Sequence, residues 1–459
     1  MAITSLMLFF ISCSSYNRQI NNYYSQVASN NYEKAASTLD QTRLLKVKRN
    51  RLLYLLEKGK MSHLLKQYEI SNRFFNEADL YIEDGRTTAG DIVLGTLLNP
   101  MMQSYKGEDF EKFMVHYYKS LNYMYLGQTN EAIVEAKRIS LRSYAQQDKV
   151  KNPDKYGDDA FALMLQGIIY EAGKEMNNAF ISYRNAANIF IENNHSYYGV
   201  EMPEQLKRDL VRTAFVAGFT DELERYEKLL DIKFDPQELA SGGELVLFWE
   251  NGLAPVKREQ NFFFSLTKDG LGNFAFIDDT GSFNIPFDYS SGINRNDLKV
   301  EDLRSFRVAF PRYEEQPVFF QKASLKVNEA SFHFEAAENI NALAFATLKE
   351  RFIKDMSLAL SRLAVKKLAE EAARPKKDDK NKDEKEAIAI ALQIFSFASE
   401  KADTRNWQTL PHTIYYARVP LKKGLNEIDL QFSGASSHSL KLSVEGTGGL
   451  QIQNISTLR

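Results

Sequence analysis

The residues of this sequence that could do chemistry are few and widely spaced. Its six histidines lie singly, and no two have the i and i+4 spacing that places two imidazoles on one helix face. The chain has one cysteine, whereas a thiolate zinc site, an iron–sulfur cluster or an intramolecular disulfide needs several. It contains no G-x-S-x-G elbow, P-loop or dinucleotide-binding glycine motif. The sequence therefore predicts no catalytic residue, metal site or cofactor, and we expect that the protein is not an enzyme.

One compact group of polar and aromatic residues lies at 403–411, between the last predicted helix and the terminal strands. Asp403 and Arg405 can form an ion pair, and Arg405 can stack on the indole of Trp407. We interpret the group as a clamp that holds the helix to the sheet. The alternative is a partner site or a catalytic site, but the segment contains no His, Lys or Cys that could act with the carboxylate.

Cys13 follows a stretch that has the features of an export signal. Residues 1–12 are apolar or uncharged, and the chain becomes polar directly after the cysteine. Phe10-Ile11-Ser12-Cys13 is similar to a bacterial lipobox, so we predict that residues 1–12 are a signal peptide remnant and that Cys13 carries a lipid such as palmitate. The alternative is a buried N-terminal helix, because the run is shorter than the roughly 20 residues that span a bilayer.

The length and the charge balance of the chain exclude further classes of protein. At about 150 residues per domain, 459 residues predict more than one domain. The 58 Lys and Arg residues are balanced by 60 Asp and Glu residues, so the chain lacks the basic excess that binding to a phosphate backbone requires. We therefore expect no nucleic-acid partner.

Residues 13–240 are predicted to form a helical domain of repeated helix pairs. Leu, Tyr, Ala, Glu and Lys recur there at helical spacing. Small and aromatic residues follow the register of a tetratricopeptide helix pair, in which Ala or Gly lets helices approach closely and tyrosines fill the remaining space. The predicted contact positions are Tyr123, Gly127, Ala132, Gly167, Tyr170, Ala179, Tyr183 and Ala186. Residues 84–102 interrupt the repeat with a glycine-containing apolar stretch, either a buried connection or a loop that faces a partner or lipid surface.

Near residue 241 the apolar period changes from about 3.6 to about 2, which predicts a β-rich domain over 241–459. Strands are predicted at 244–250, 261–266, 274–277, 306–310, 331–335, 412–419, 426–432 and 439–444. A helical hairpin at about 338–400, with a charged loop at 374–386, interrupts them. The predicted fold class is multidomain α+β: an N-terminal tetratricopeptide-like α-solenoid followed by a β-containing domain with an inserted helical hairpin.

Several segments resemble, in order and spacing, an uncharacterised family of bacterial envelope lipoproteins with tetratricopeptide-like repeats. These segments are 107–111, 116–127, 131–138, 167–186, 252–255, 309–311, 402–407, 410–411 and 417–419. Members of that family are typically encoded beside two small lipoproteins, one similar to a penicillin-binding-protein activator and one similar to the curli secretion channel. The resemblance implies an outer-membrane assembly partner and implies no enzyme.

Two functions from different classes fit these observations. The first is a scaffold or adaptor that binds an envelope protein, such as a neighbouring small lipoprotein, in the concave groove of its helical array. Ser14 after the cysteine favours anchoring by lipid to the periplasmic side of the outer membrane. The second is an envelope enzyme or a glycan-binding module carried by the β-containing domain, which would need a convergent polar cleft. We expect the first.

Overall fold

A computed structural model of the protein describes residues 16–84, 100–147, 159–236, 240–268, 274–287, 306–373 and 400–459. Helices dominate the first half of these residues and sheets dominate the second, so the prediction of a mixed α+β fold with an N-terminal helical region is confirmed. Cys13, most of the apolar stretch at 84–102 and the charged loop at 374–386 lie outside the described residues. Among the described helices, we find none with the length and apolar character that crossing a membrane requires.

The helices of the first half follow one another with short turns. They are α1 (Tyr16–Ala28), α2 (Tyr32–Gln41), α3 (Arg43–Lys46), α4 (Arg51–Leu64), α5 (Tyr68–Asp84), α6 (Asp109–Tyr125), α7 (Thr129–Gln147), α8 (Ala160–Ala172), α9 (Met176–Glu192), α10 (Glu204–Val216) and α11 (Thr220–Leu230). A short hairpin of β1 (Ser196–Tyr197) and β2 (Val200–Glu201) separates α9 from α10.

Within the described residues these helices pack as the pairs α1–α2, α4–α5, α6–α7, α8–α9 and α10–α11, and each pair packs on the next. The turn inside each pair contains a residue with a left-handed backbone, a conformation that ends a helix with little steric cost at glycine. These residues are Asn30, Lys66, Gly127, Lys174 and Gly218. Gly127 is therefore a turn residue, with open space around the position of its Cβ, and not a contact between helices.

The other repeat positions lie where helices meet. Ala132, Ala179 and Ala186 are fully buried. A Cβ on Gly167 would lie 2.6 Å from a ring carbon of Tyr183, so only glycine lets α8 and α9 come this close. Tyr170 is also buried, whereas Tyr123 is half-buried. Gly59 has the same relation to Phe75, with its Cβ position 2.6 Å from the ring.

The strands of the second half form three four-stranded sheets within the described residues. The strands are β3 (Glu244–Asn251), β4 (Val256–Lys268), β5 (Phe274–Asp278), β6 (Asn284–Phe287), β7 (Phe306–Glu314), β8 (Phe320–Val327), β9 (Ala330–His333), β10 (Glu335–Asn339), β11 (Thr413–Pro420), β12 (Gly424–Gly434), β13 (Ser437–Gly446) and β14 (Leu450–Thr457). The central sheet has the order β10-β11-β3-β14, the outer sheet β13-β12-β8-β9 and the side sheet β6-β5-β4-β7. All neighbours are antiparallel except β3 and β14.

Both faces of β3 are buried, and the residues on its two faces show what packs on each side of the central sheet. Leu245, Leu247 and Trp249 belong to the apolar core between the central and outer sheets. Val246 and Phe248 point the other way and belong to the core that the central sheet shares with the helices. The molecule is therefore layered as helices, central sheet and outer sheet. A strand with two buried faces reads as a continuous apolar run, as 245–249 does.

The long helix α12 (Ile340–Ala373) packs on the side sheet, where Phe352 contacts the rings of Phe262, Phe283 and Phe310. It starts two residues later than the predicted hairpin, because 335–339 form the edge strand β10. The second arm of the hairpin, at 387–399, lies outside the described residues.

Candidate functional site

A cleft of about 680 Å³ opens where the helical half meets the sheets. Its walls come from the segment before α6, from β7, from α12 and from residues 402–403. Cavities of about 300–1,000 Å³ between structural units are typical of small-molecule sites. The sequence did not reveal this cleft, because its walls are hundreds of residues apart in the chain.

Buried charges line one end of the cleft. Glu108 accepts a hydrogen bond from the Lys257 ammonium and a bidentate pair from Arg351, whose Nη1 lies 2.7 Å from Oε2 and whose Nη2 lies 2.8 Å from Oε1. Burial would raise the pKa of Glu108, but the charges of Lys257 and Arg351 outweigh it and lower the pKa to about 2. Glu108 is therefore an anion with two fixed counter-charges.

The opposite wall combines apolar and cationic groups of α12. Leu358 and Ala359 face the cleft together with Phe310 of β7. Arg362 pairs with Glu400 at 2.6 Å, yet its Nε is buried without a hydrogen-bond partner, whereas the Nε of Arg351 lies 3.3 Å from Oδ2 of Asp355. The cleft thus has one N–H donor without a partner, on Arg362, beside an apolar wall, an arrangement suited to a ligand with an acceptor oxygen and an apolar part.

Of the two contacts predicted within the group at 403–411, one is present. The ion pair is present, with Nη2 of Arg405 2.6 Å from Oδ2 of Asp403. Arg405 does not stack on Trp407: its guanidinium lies 5.5 Å from the ring centre of Tyr105. Its Nη1 donates to Oδ1 of Asn50 at 2.8 Å and to the Gln103 carbonyl at 3.0 Å. Arg405 therefore ties this segment to the helical half and not to α12.

Trp407 is fully buried against α5 and α6 of the helical half. Its ring centre lies 5.8 Å from that of Phe75 and 5.9 Å from that of Tyr118. Its backbone N–H donates to Oε1 of Glu111 at 2.8 Å, and its indole N–H donates to the Thr409 hydroxyl at 3.0 Å. These contacts favour the structural interpretation of Arg405 and Trp407, while Asp403 also lines the cleft.

A buried carboxyl, Glu57, lies behind this segment. It accepts hydrogen bonds from the hydroxyls of Tyr23 and Tyr24, each at 2.9 Å, and from Thr409 at 2.5 Å. Burial raises the pKa of Glu57 to about 7, because these hydroxyls only partly replace the lost hydration of the charged form.

Two further ionic networks join the helices to the central sheet, and the sequence predicted neither. In the first, buried Glu250 of β3 accepts hydrogen bonds from buried Lys60 at 2.5 Å and from partly buried Ser456 at 2.7 Å. In the second, Arg418 of β11 donates to Glu171 at 2.6 Å and to Asp209 at 3.1 Å. The sequence does contain one signal for these networks, which is a charged residue within an apolar strand pattern. Glu250 ends a fully apolar run, and Arg418 interrupts one.

His63 belongs to the first network and acts as a neutral ring. Burial and the nearby charge of Lys60 lower the pKa of His63 to about 4. Its Nδ1 lies 2.6 Å from Oδ1 of Asn122, and its Nε2 lies 3.0 Å from Nδ2 of Asn454. The neutral tautomer that donates from Nδ1 and accepts at Nε2 satisfies both contacts.

The networks show what covers the inner face of the helical array, meaning the first helix of each pair. Lys60 of α4, Tyr117 of α6 and Glu171 of α8 all contact the central sheet. The rings of Tyr117 and Phe161 also pack edge-on against Phe248. The groove that we expected to bind a partner is therefore occupied by the sheet of the same chain.

One group of potential metal ligands lies between α5, α6 and α7 in the described part of the chain: Asp79, His116 and Glu135. The Lys119 ammonium lies between them, 3.1 Å from Asp79 and 2.9 Å from Glu135. A cation of the protein itself thus fills the position that a metal ion would take, and the group does not fit a metal.

Comparisons with known proteins do not assign a family to the chain. No protein-family model matches the chain, and no curated protein matches its sequence. The resemblance to envelope lipoproteins stays a prediction.

Proposed function

We propose that the protein is a scaffold or adaptor for an envelope assembly or secretion complex, lipid-anchored through Cys13 to the periplasmic side of the outer membrane. The stacked helix pairs, with their regular turn positions and small-residue contacts, support a tetratricopeptide-like solenoid as its framework. Because the central sheet covers the inner face, the partner binds the outer face, meaning the exposed surfaces of the second helix of each pair.

Exposed apolar side chains on this outer face carry the proposal. Leu80 on α5 and Leu141 on α7 are each 66% exposed, and Val134 on α7 is 51% exposed. The ion pair of Arg138 with Asp79, at 2.5 Å, joins α7 to α5 next to Leu80, and exposed apolar side chains grouped on adjacent helices indicate a protein interaction surface. The matching partner presents an amphipathic helix or another apolar segment.

The experiment is site-specific photo-crosslinking in membranes, with the crosslinker at Leu80 or Val134. We expect one adduct, which Leu141→Ser weakens. Leu425→Ser is the matched control, because Leu425 is 70% exposed on the outer sheet, away from the helices. Equal loss of the adduct in both variants, or no adduct from either position, would contradict the outer face as the partner site.

The anchor has a separate test. Cys13→Ala is expected to give soluble protein that incorporates no radiolabelled palmitate, while protease treatment of intact cells spares the wild type. Palmitate incorporation by the variant contradicts lipidation at Cys13, and digestion of the wild type in intact cells contradicts the periplasmic location.

The cleft favours a second candidate function, a ligand-binding or glycan-binding module. Leu358 lines the cleft but is 59% exposed, so Leu358→Glu should change the wall and leave the core intact. Titration with soluble peptidoglycan fragments, followed by calorimetry, tests the candidate: binding by the wild type and not by this variant supports it. Absence of binding to the wild type opposes it.

A further inference from the structure

A short basic segment follows the first helix pair. Residues 43–51 contain five Lys or Arg residues and no Asp or Glu, although acidic residues outnumber basic ones in the whole chain. The five are Arg43, Lys46, Lys48, Arg49 and Arg51. Of these, Arg43, Lys46 and Lys48 are exposed. The segment is therefore a local concentration of positive charge on a chain that is otherwise close to neutral.

The acidic residues near this segment are engaged elsewhere. Glu77 pairs with Arg51 at 2.5 Å, and Asp40, the last acidic residue before the segment, pairs with Lys58 at 2.8 Å. Within the part of the chain that the structure describes, the three exposed basic residues take part in no ion pair. Their charges are thus available to an anionic partner.

The backbone that carries these charges is held in place. Leu45 is fully buried, and the side-chain amide of buried Asn50 donates a hydrogen bond to the Leu44 carbonyl at 2.8 Å. The backbone N–H of Tyr105 donates to the Arg49 carbonyl at 2.7 Å. A partner that binds a segment fixed in this way does not have to order its backbone, which lowers the entropic cost of binding.

The segment lies beside the start of α1, the described element nearest in sequence to Cys13. Asn17 of α1 accepts a hydrogen bond from Gln408 at 3.0 Å, and Arg405, three residues earlier, donates to the Arg49 carbonyl at 3.2 Å. The same short stretch therefore contacts both the start of α1 and the basic segment. Cys13 is three residues before α1, and three residues span about 10 Å at most. A lipid on Cys13 would hold this side of the molecule near the membrane.

We propose that the basic segment 43–49 binds the phosphate groups of anionic phospholipids at the membrane surface, an inference that takes the lipid anchor at Cys13 from the proposed function. A membrane with anionic lipids has a negative surface potential, which attracts Lys and Arg side chains and decays within about 8–10 Å at physiological salt. Because the anchor holds the start of α1 near the surface, the segment beside it lies where this attraction acts. The contact then determines which side of the molecule faces the lipid.

The test uses the full chain with Cys13→Ala, so that no attached lipid contributes to binding. Vesicles of phosphatidylcholine and phosphatidylglycerol in equal parts should bind this protein at least tenfold more strongly, by co-sedimentation, than vesicles of phosphatidylcholine alone. Any contribution of the apolar residues 1–12 is common to both vesicles, so the ratio reports charge. In about 1 M NaCl, where the Debye length is about 3 Å, the preference should disappear. Equal binding to both vesicles at low salt overturns the proposal.

Two combined variants locate the binding surface. The first, with Arg43→Gln, Lys46→Gln and Lys48→Gln, should bind the mixed vesicles at least tenfold more weakly, because each basic residue near the surface contributes about fivefold. The control removes the same charge from exposed lysines of the outer sheet and its adjoining turn, with Lys322→Gln, Lys326→Gln and Lys423→Gln. Both should melt like the parent protein; should the first melt lower, Lys46→Gln alone replaces it, with an expected loss of about fivefold. An equal loss in the control means that only net charge matters and overturns the proposal.

A fluorescent probe measures which side faces the lipid. Because Cys13 is the only cysteine of the chain, Val47→Cys in the Cys13→Ala protein gives a single thiol for an environment-sensitive dye. Val47 is 38% exposed within the basic segment, and its dye should shift to the blue on mixed vesicles. A dye at Leu425→Cys, on the outer sheet, should not respond. A response at 425 and not at 47 overturns the proposal.

Two further results separate this inference from the proposed function. If the first combined variant loses the protein adduct from Leu80 but keeps its vesicle binding, the segment binds a protein and the inference is wrong. If the wild type incorporates no palmitate, the anchor is wrong, whereas a preference for phosphatidylglycerol in the Cys13→Ala protein still supports the lipid-binding segment.

Discussion

Arg405 and Trp407, two residues apart, both join their segment to the helical half of the molecule, but through different partners. The ion pair of Arg405 with Asp403 is local, so the sequence alone predicted it. The contacts of Arg405 with Asn50, and of Trp407 with Glu111, join residues about 300 or more positions apart. No periodicity in a single sequence encodes such partners, because they depend on how the two halves of the chain come together.

Trp407→Ala should strongly destabilise the protein without affecting any chemical step. Removing a fully buried indole typically costs about 3–5 kcal/mol. Chemical denaturation should show this loss in the full-length protein. Phe263→Ala is the control, because Phe263 is 46% exposed and its removal should cost little.

The opposite result would change the role of this segment. If Trp407→Ala melts like the wild type and accumulates normally, yet fails to complement a deletion strain, the segment is a functional site and not a clamp.

Glu57 should make the stability of the protein depend on pH. Its pKa rises from 4.5 to about 7 on folding, so the folded state binds a proton more tightly than the unfolded state. The contribution of Glu57 is then complete below about pH 4.5 and is lost as the pH rises through about 7. Glu57→Gln cannot lose this proton, so its stability relative to the wild type should increase by about 3 kcal/mol between pH 4.5 and pH 8. Urea denaturation at the two pH values measures the difference, and a constant difference would refute the assignment.

At the scale of elements, the sequence predicted what depends on periodicity. The continuous apolar run at 245–249 became β3, and alternating runs became β11, β12 and β13. In the small-residue register, Gly167 lies against the Tyr183 ring and Ala179 is fully buried. The short strands β1 and β2 and the strands β6, β8, β10 and β14 were missed. β8 and β14 mix polar residues with apolar ones, and their pairing with β12 and β3 decides their structure.

The two kinds of repeat glycine should respond differently to substitution. Gly167→Ala should destabilise the full-length protein, because its Cβ would overlap the Tyr183 ring, and overpacking typically costs about 1–3 kcal/mol. Gly127→Lys should cost about 1 kcal/mol, the lower end of the penalty for a left-handed residue other than glycine, because space is open there and lysine occupies the equivalent turn positions 66 and 174. Thermal melting of both variants measures which of them is less stable, and we expect it to be Gly167→Ala. A Gly167→Ala variant at least as stable as the wild type would refute the close approach of α8 and α9.

At the scale of the whole molecule, the helices and the central sheet share one core, and buried ion pairs cross the boundary between them. The sequence placed a boundary near residue 240 and predicted a free groove on the helical side. It could not show that the sheet fills this groove, since Lys60 and Glu250, or Glu171 and Arg418, carry no mark of their pairing. The only indication of this pairing in the sequence is that these charged residues lie in apolar segments.

Arg418→Met should test the link between the two halves. It leaves Glu171 and Asp209 buried with only the charge of Arg212 beside them, and breaking such a network typically costs about 3–5 kcal/mol. Arg258→Met is the control, because its pair with Glu314 is about half exposed and contributes at most about 1 kcal/mol. Equal stabilities of the two variants by chemical denaturation would show that the network does not hold the halves together.

The shared core predicts that neither half folds alone. A fragment of residues 16–236 would expose the inner faces of α4, α6 and α8, whose side chains are almost all buried in the complete chain. A fragment of residues 240–459 would expose Val246 and Phe248 together with the charges of Glu250 and Arg418. Each fragment should therefore aggregate or remain largely unfolded when produced alone, whereas the two produced together should associate into a soluble complex. Circular dichroism and size-exclusion chromatography distinguish the outcomes. A helical fragment that is monomeric and melts cooperatively by itself would show that the array is an independent domain, and its inner face would then again be a candidate groove for a partner.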